Sequence, residues 1–207
     1  MDNGNSDQSG VKSVLSEAYD LVYNGWIRVW RGTGRKQEVV EKKDAVAFLV
    51  YNRDRRAVAM VMQDRPATIF ATNHIAPILE VPAGHIDQGE TVVWAMAREA
   101  REELGLLVDL ETVAGRFELI NFGTPLFTSP GIITERLHLG YGKFNDDEFD
   151  HSRTSFGLDA EGESTEVRWI SIKELSCMPY PDLKTFTLVQ WFMLKIYPQL
   201  TAEKENE

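Results

Sequence analysis

Three glutamates set the terms on which residues 84–106, GHIDQGETVVWAMAREAREELGL, can fold. Ala95, Ala97, Ala100 and Leu104 are strong helix formers, and Gly105 follows where a helix end favours a left-handed residue. The spacing predicts a helix over 91–104. On that helix Glu99, Glu102 and Glu103 stand at i, i+3 and i+4, so the three carboxylates share one face. Like charges at this spacing cost a helix a few tenths of a kcal/mol per pair. The interleaved Arg98 and Arg101 can relieve that repulsion, and so can a divalent cation: an oxygen-only, carboxylate-rich donor set suits Mg²⁺ or Mn²⁺.

The rest of the chain reads mainly as strands. Residues 21–30, LVYNGWIRVW, are aromatic and β-branched and predict one or two early strands. The runs Ala45–Tyr51 and Ala57–Met62 flank the polar turn Asn52–Arg56 and predict a hairpin. Ile78–Val81 reads as a short strand that ends at Pro82-Ala83-Gly84. Gly115–Leu119, Arg136–Tyr141 and Glu166–Ile172 read as further strands. A last amphipathic helix over 183–196 sets Phe186, Val189, Phe192, Met193 and Ile196 at helical spacing. One long helix among strands, with a second at the end, gives an α+β layered fold.

Charge narrows the partners. The 207 residues carry 22 Lys and Arg against 32 Asp and Glu, a net charge of -10. Duplex DNA and anionic membranes reward surplus cations, so neither is expected, and nucleic acid in general is disfavoured. A small phosphorylated ligand stays open, given metal ions or a few local arginines. The single cysteine, Cys177, forms no internal disulfide and no zinc site alone, which fits a reducing compartment. No apolar run approaches the ~18 residues of a membrane span, and the N-terminus MDNGNSD lacks the features of a signal peptide. The protein is expected to be cytoplasmic.

The register of 84–106 carries more than its charges. Gly84 is followed by Glu90, then Arg98-Glu99, Glu102-Glu103, Gly105 and Leu106. This resembles the Nudix box, G-x5-E-x7-R-E-U-x-E-E-x-G-U with U a bulky aliphatic residue, and matches it at eight fixed positions. Ala100 departs at the first U, which bears on helix packing. The resemblance implies a Nudix hydrolase: an α/β/α sandwich with a mixed sheet and an N-terminal β-strand extension. With the polar composition of the two ends, it divides the chain into a disordered tail at 1–15, N-terminal strands at 16–42, the hydrolase domain at 43–200 and a second disordered tail at 201–207. It further implies metal ions on Glu99, Glu102 and Glu103, with Glu103 also catalytic, and Arg98 holding the glutamates in place. Glu90 either stabilises the helix dipole or takes part in the site.

Outside the box, Gln63-Asp64-Arg65-Pro66 and Leu79-Glu80-Val81-Pro82-Ala83-Gly84 resemble segments of the ADP-ribose and nucleoside-diphosphate-sugar pyrophosphatases. That likeness implies that Arg65 contacts substrate phosphates, that Glu80 lies at the substrate site and that the Ala83 carbonyl ligates a metal. Thr128-Ser129-Pro130-Gly131 with Glu135 resembles a substrate-binding stretch of the same proteins, implying roles for Ser129 and Glu135; alone it reads as a Pro-Gly turn. Residues 157–163, GLDAEGE, resemble their acidic catalytic loop, with Glu161 as general base and Glu163 as metal ligand; Glu166 competes for the first role. The N-terminal strands fall where those enzymes pair as homodimers and stack on the base, through Trp26 or Trp30, core packing being the alternative. The expected substrate is thus a nucleoside-diphosphate sugar such as ADP-ribose or GDP-mannose. Dinucleoside polyphosphates, NADH, an RNA 5′ end, or non-catalytic ADP-ribose sensing are the alternatives.

Overall fold

A computed structural model describes residues 18–34, 36–72, 77–157 and 165–205. The chain divides into two compact units, Met1–Asp44 with Leu126–Leu137, and Ala45–Pro125 with His138–Glu207.

The first unit is built on a three-stranded antiparallel sheet of β1 (Tyr19–Asn24), β2 (Arg28–Gly32) and β3 (Glu38–Glu41), in that order. The aromatic run over 21–30 is therefore two strands, turning where Gly25 N donates to Ile27 O (3.0 Å). Val40 forms a parallel bridge to Ile133, and Val40 N donates to Ile132 O (2.7 Å). β9 (Leu126–Phe127) pairs with Arg136 and Leu137, the first residues of β10 (Arg136–Phe144).

The second unit is the sandwich. Its sheet contains β4 (Ala45–Asn52), β5 (Ala57–Asp64), β8 (Glu118–Leu119), β11 (Ser155–Phe156) and β12 (Thr165–Ser171), in the order β11-β12-β5-β4-β10-β8. β6 (Pro77–Glu80) adds to β5 and β7 (Ala83–His85) to β4. All eight residues of β4 are buried, and a strand covered on both faces needs an unbroken apolar run rather than alternation. Val46, Phe48 and Val50 pack with Ala95, Met96, Ala97, Ala100 and Leu104 of α2 (Val92–Leu104). Tyr51, of opposite parity, meets Phe192 of α5 (Leu183–Lys195), with ring centroids 5.7 Å apart. Helices thus flank both faces, as the α/β/α expectation requires. Ala100, the departure from the box, is fully buried in this packing.

The helix expected over 91–104 starts one residue later because Thr91 is its N-cap, accepting from Trp94 N. It stops at Gly105, whose φ of 67° is left-handed. A Cβ there would also lie 2.2 Å from the Phe156 ring, so glycine is required twice over. In α5 the buried stripe is Thr185, Leu188, Val189, Phe192 and, at its C-cap, Ile196. Phe186 lies off that stripe and is exposed, which corrects its expected place in the core.

Other boundaries differ too. The run read as a strand over 115–119 is preceded by the short helix α3 (Leu110–Ala114), capped by Asp109, and pairs only at Glu118 and Leu119. The short helices α1 (Ala67–Thr72) and α4 (Ile172–Leu175) carry no periodicity long enough to read. α6 (Tyr197–Glu205) continues into the tail read as disordered from 201, through helix formers such as Ala202 and Lys204. Among the described residues no helix is long and apolar enough to cross a membrane.

Candidate active site

The pairing of β7 with β4 (Ala45↔His85, Val46↔Gly84, Ala47↔Ala83) brings the start of the box against α2. The approach is close enough that only glycine fits at 84. A Cβ there would lie 1.7 Å from Glu99 Oε1 and 2.0 Å from Glu99 Cδ. One residue earlier, Ala83 N donates to Glu103 Oε2 (3.1 Å). Glu99 and Glu103 are both buried, whereas the Glu102 side chain stays a quarter exposed.

Arg98 organises the acids. Its Nε and Nη2 grip Glu90 through Oε1 (3.0 Å) and Oε2 (3.1 Å), a bidentate fork. Nη1 donates to Glu99 Oε1 (2.8 Å) and Glu102 Oε2 (3.0 Å), and Nη2 also donates to His85 O (2.8 Å). Burial works against the guanidinium charge, but the Glu90 hydrogen bond and the Glu99 charge outweigh it and raise the Arg98 pKa. Glu90 shows the converse. Burial pushes its carboxyl up, and the bonds from Arg98 and the Asp87 amide hold it below the usual range. Glu90 precedes the N-cap and is tied to Arg98 directly.

Three carboxylates therefore share one guanidinium, with Glu103 held nearby by the Ala83 amide, an oxygen-rich donor set with surplus negative charge that fits a hard divalent cation. Among the described residues no three acidic, histidine or cysteine side chains close into a metal cage. Such closure is not required of Mg²⁺, which commonly takes one or two carboxylates and completes its shell with water and substrate phosphate.

A second cluster forms behind the box. Glu80, only 2% exposed, receives Arg65 Nε on Oε1 (2.5 Å) and Lys184 Nζ on Oε2. Lys184 Nζ also donates to Asp182 Oδ2 (3.0 Å). Burial raises the Asp182 carboxyl, but the Lys184 charge and the Thr185 hydrogen bonds prevail and lower it. Arg65 and Glu80 are thus brought together, with Glu80 turned to the two cations. Lys184 and Asp182 were not singled out in the sequence. The visible signal is weak: Asp182-Leu183-Lys184 opens a helix with a capping acid, and nothing in the chain order ties it to residue 80.

A model of the NUDIX domain matches residues 41–192. The chain belongs to the Nudix family. It is 30% identical over 190 residues to a GDP-mannose pyrophosphatase of Cronobacter sakazakii, covering 88% of this chain and 92% of that one. It is 31% identical over 158 residues to a GDP-mannose pyrophosphatase of Klebsiella pneumoniae (74% and 73%) and 32% identical over 158 residues to one of Salmonella typhimurium (74% and 75%). The expectation of a Nudix hydrolase therefore holds, and with it the family's general use of divalent metal ions.

Trp26, in the first unit, is 88% exposed in the β1–β2 turn, while the Trp30 indole donates to Glu41 Oε2 (2.7 Å). In the same unit the Ser129 carbonyl accepts from Ile132 N (3.0 Å) and Ile133 N (2.8 Å), and Glu135 pairs with Lys42 (2.6 Å). Glu161 and Glu163 lie outside the described residues. Gly157, the last described residue before them, donates its N–H to the Glu102 carbonyl (3.1 Å). Glu166 is in β12 and pairs with Arg168 (3.0 Å).

Proposed function

We propose that this Nudix hydrolase is a metal-dependent pyrophosphohydrolase of nucleoside-diphosphate sugars of the GDP-mannose and ADP-ribose type, releasing a nucleoside monophosphate and a sugar phosphate. The observation that carries the reading is the box itself: Glu99 and Glu102 gathered by Arg98, Glu103 held by the Ala83 amide, and Glu99 set against Gly84. The likeness to GDP-mannose pyrophosphatases over most of both chains supports the substrate class.

The Ala83 carbonyl, Glu99, Glu102, Glu103 and Glu163 would hold the metal, Mg²⁺ or Mn²⁺. Bound there, it supplies Lewis-acid charge neutralisation of the diphosphate. Arg98 keeps Glu90, Glu99 and Glu102 oriented through four bonds to their carboxylate oxygens. Arg65, its Nε spent on Glu80, offers terminal Nη groups to a phosphate. Glu161 takes the proton of the attacking water, with Glu103 as its partner in the box. Attack in line with the bridging oxygen breaks one P–O bond and frees the two monophosphates. Trp26 supplies a face for the base, and Ser129 and Glu135 contact the substrate. Exposed Leu21, Val22 and Tyr23 on β1 favour a homodimer paired through the first unit, working in the cytoplasm.

Phosphate release after phosphatase coupling tests this on ADP-ribose, GDP-mannose, UDP-glucose, NADH, diadenosine polyphosphates and triphosphorylated RNA, with and without Mg²⁺. Metal-dependent turnover confined to the sugar nucleotides is expected. Turnover on dinucleotides or RNA alone would sink the substrate assignment, and silence with tight ADP-ribose binding would point to a sensor.

A further inference from the structure

The cluster behind the box is a closed circuit. Val81 N donates to Thr185 Oγ1 (3.0 Å), and Thr185 Oγ1 donates to Asp182 Oδ2 (2.7 Å). Lys184 Nζ bridges Asp182 Oδ2 and Glu80 Oε2, and Glu80 is covalently next to Val81. Asp182 Oδ2 accepts once more from Thr185 N (2.9 Å), capping α5. Arg65 hangs from the circuit by Nε alone; among the described residues its Nη groups make no hydrogen bond.

We infer that Asp182 is a positioning residue for Arg65. The Glu80 carboxylate is buried and carries one charge for two cations, Lys184 on one oxygen and Arg65 on the other. Asp182 supplies the second charge and holds Lys184 partly on itself, so Glu80 Oε1 stays with Arg65. Without that charge both cations compete for one carboxylate. Lys184, its side chain 14% exposed, has little water to turn to and takes Glu80. Arg65, 36% exposed, has water as an alternative partner and lets go. The terminal Nη groups then lose their fixed direction, and ordering Arg65 becomes part of the cost of binding. The chemical step is spared, because Arg98 and the Ala83 amide hold the box glutamates and neither belongs to the circuit. The inference rests on the proposed contact of Arg65 with substrate phosphate.

Asp182→Asn tests it in the full chain. Asparagine keeps the N-cap and an acceptor for Thr185 and removes only the charge. KM for GDP-mannose or ADP-ribose should rise roughly three- to tenfold, the range for ordering one rotamer-rich side chain on binding, with kcat nearly unchanged. In an Arg65→Ala background the same change should leave KM where Arg65→Ala put it, since both remove one contact. A readout independent of turnover is solvent exchange of the Arg65 Nε proton followed by NMR. It should be protected in the native protein, lost in Glu80→Gln and weakened in Asp182→Asn. An equal KM increase in both backgrounds, a loss confined to kcat, or undiminished Nε protection in Asp182→Asn would overturn the inference. If the native enzyme turns over no nucleotide sugar while Nε protection follows the expected order, the substrate reading fails and the positioning of Arg65 stands.

Discussion

Gly84→Ala isolates the geometry of the box without touching a charge. The added Cβ would sit 1.7 Å from Glu99 Oε1 and 2.6 Å from Oε2, so the carboxylate has to retreat to an ordinary contact of at least 3.4 Å. The backbone cannot yield instead without breaking the β7–β4 ladder at Val46↔Gly84. Forcing one methyl into such a contact costs about 1–3 kcal/mol of stability. A displacement of an ångström or more at a reacting centre costs on the order of 10²-fold in rate. The variant should therefore remain folded while kcat falls at least a hundredfold, read by coupled phosphate release alongside a circular-dichroism melt. Gly115→Ala is the control. Its φ of -68° suits alanine and its nearest neighbours lie at 3.6 Å, so stability and rate should hold or improve slightly. If Gly84→Ala kept kcat within about threefold of native, Glu99 would not be held where the chemistry needs it and the box geometry drawn here would be wrong.

The other expectations are of three kinds. Glu102→Gln or Glu103→Gln should cut kcat by several orders of magnitude and leave the melting temperature unchanged or slightly higher, since each relieves like-charge repulsion; near-native turnover would refute the metal assignment. Arg98→Met leaves Glu90, Glu99 and Glu102 without their shared cation and should cost about 3 kcal/mol in urea unfolding as well as activity; a loss under ~1 kcal/mol would show that the hub is dispensable. Glu90 and Asp182 have lowered carboxyl pKa values, so each contributes stability that is fully present above its unfolded pKa, about 4.3 and 3.9, and is lost as pH falls through the depressed folded value. Unfolding free energy should drop below about pH 4, and Glu90→Gln or Asp182→Asn should flatten that drop; an unchanged slope would count against both pairings.

How much of this was legible in the sequence follows from how local each feature is. The box helix could be read to within a residue because Thr91, the alanines and Gly105 act within one or two turns of themselves. The hairpin over 45–62 was legible for the same reason: Asn52 closes it by accepting from Asp54 N and Arg55 N (3.0 Å each). The carboxylate face was legible as a spacing, yet its relief was not. Only the fold shows Arg98 reaching back to Glu90 and to the His85 carbonyl, while Arg101 points outward into an exposed position. The Glu80 cluster was half legible. Arg65 directly follows β5 and Glu80, fifteen residues on, ends the neighbouring β6, but Lys184 arrives from 104 residues away on a helix whose periodicity reports only its apolar stripe. Phe186 was misplaced for a related reason: hydrophobicity gives a helix its period, while the packed neighbour decides which edge of the stripe is covered.

The two clusters differ in charge balance, and that difference bears on how an acidic chain can hold a diphosphate. Around Glu80 two carboxylates meet two cations, so the region is near neutral and Arg65 can face an anion without a large field against it. Around Arg98 three carboxylates meet one cation, and Glu103 on the Ala83 amide adds a fourth negative charge to the box, so a diphosphate brought there alone would meet net repulsion. The surplus is an obstacle to substrate and an attraction to a divalent cation at once. Substrate and cation must then bind with positive coupling, and because binding free energies are linked reciprocally, each should tighten the other by the same factor. Arg98 sets the size of that coupling. Under the proposed metal assignment, Arg98 neutralises one charge while fixing three side chains, which leaves negative charge to recruit the cation and keeps Glu99 and Glu102 on one guanidinium.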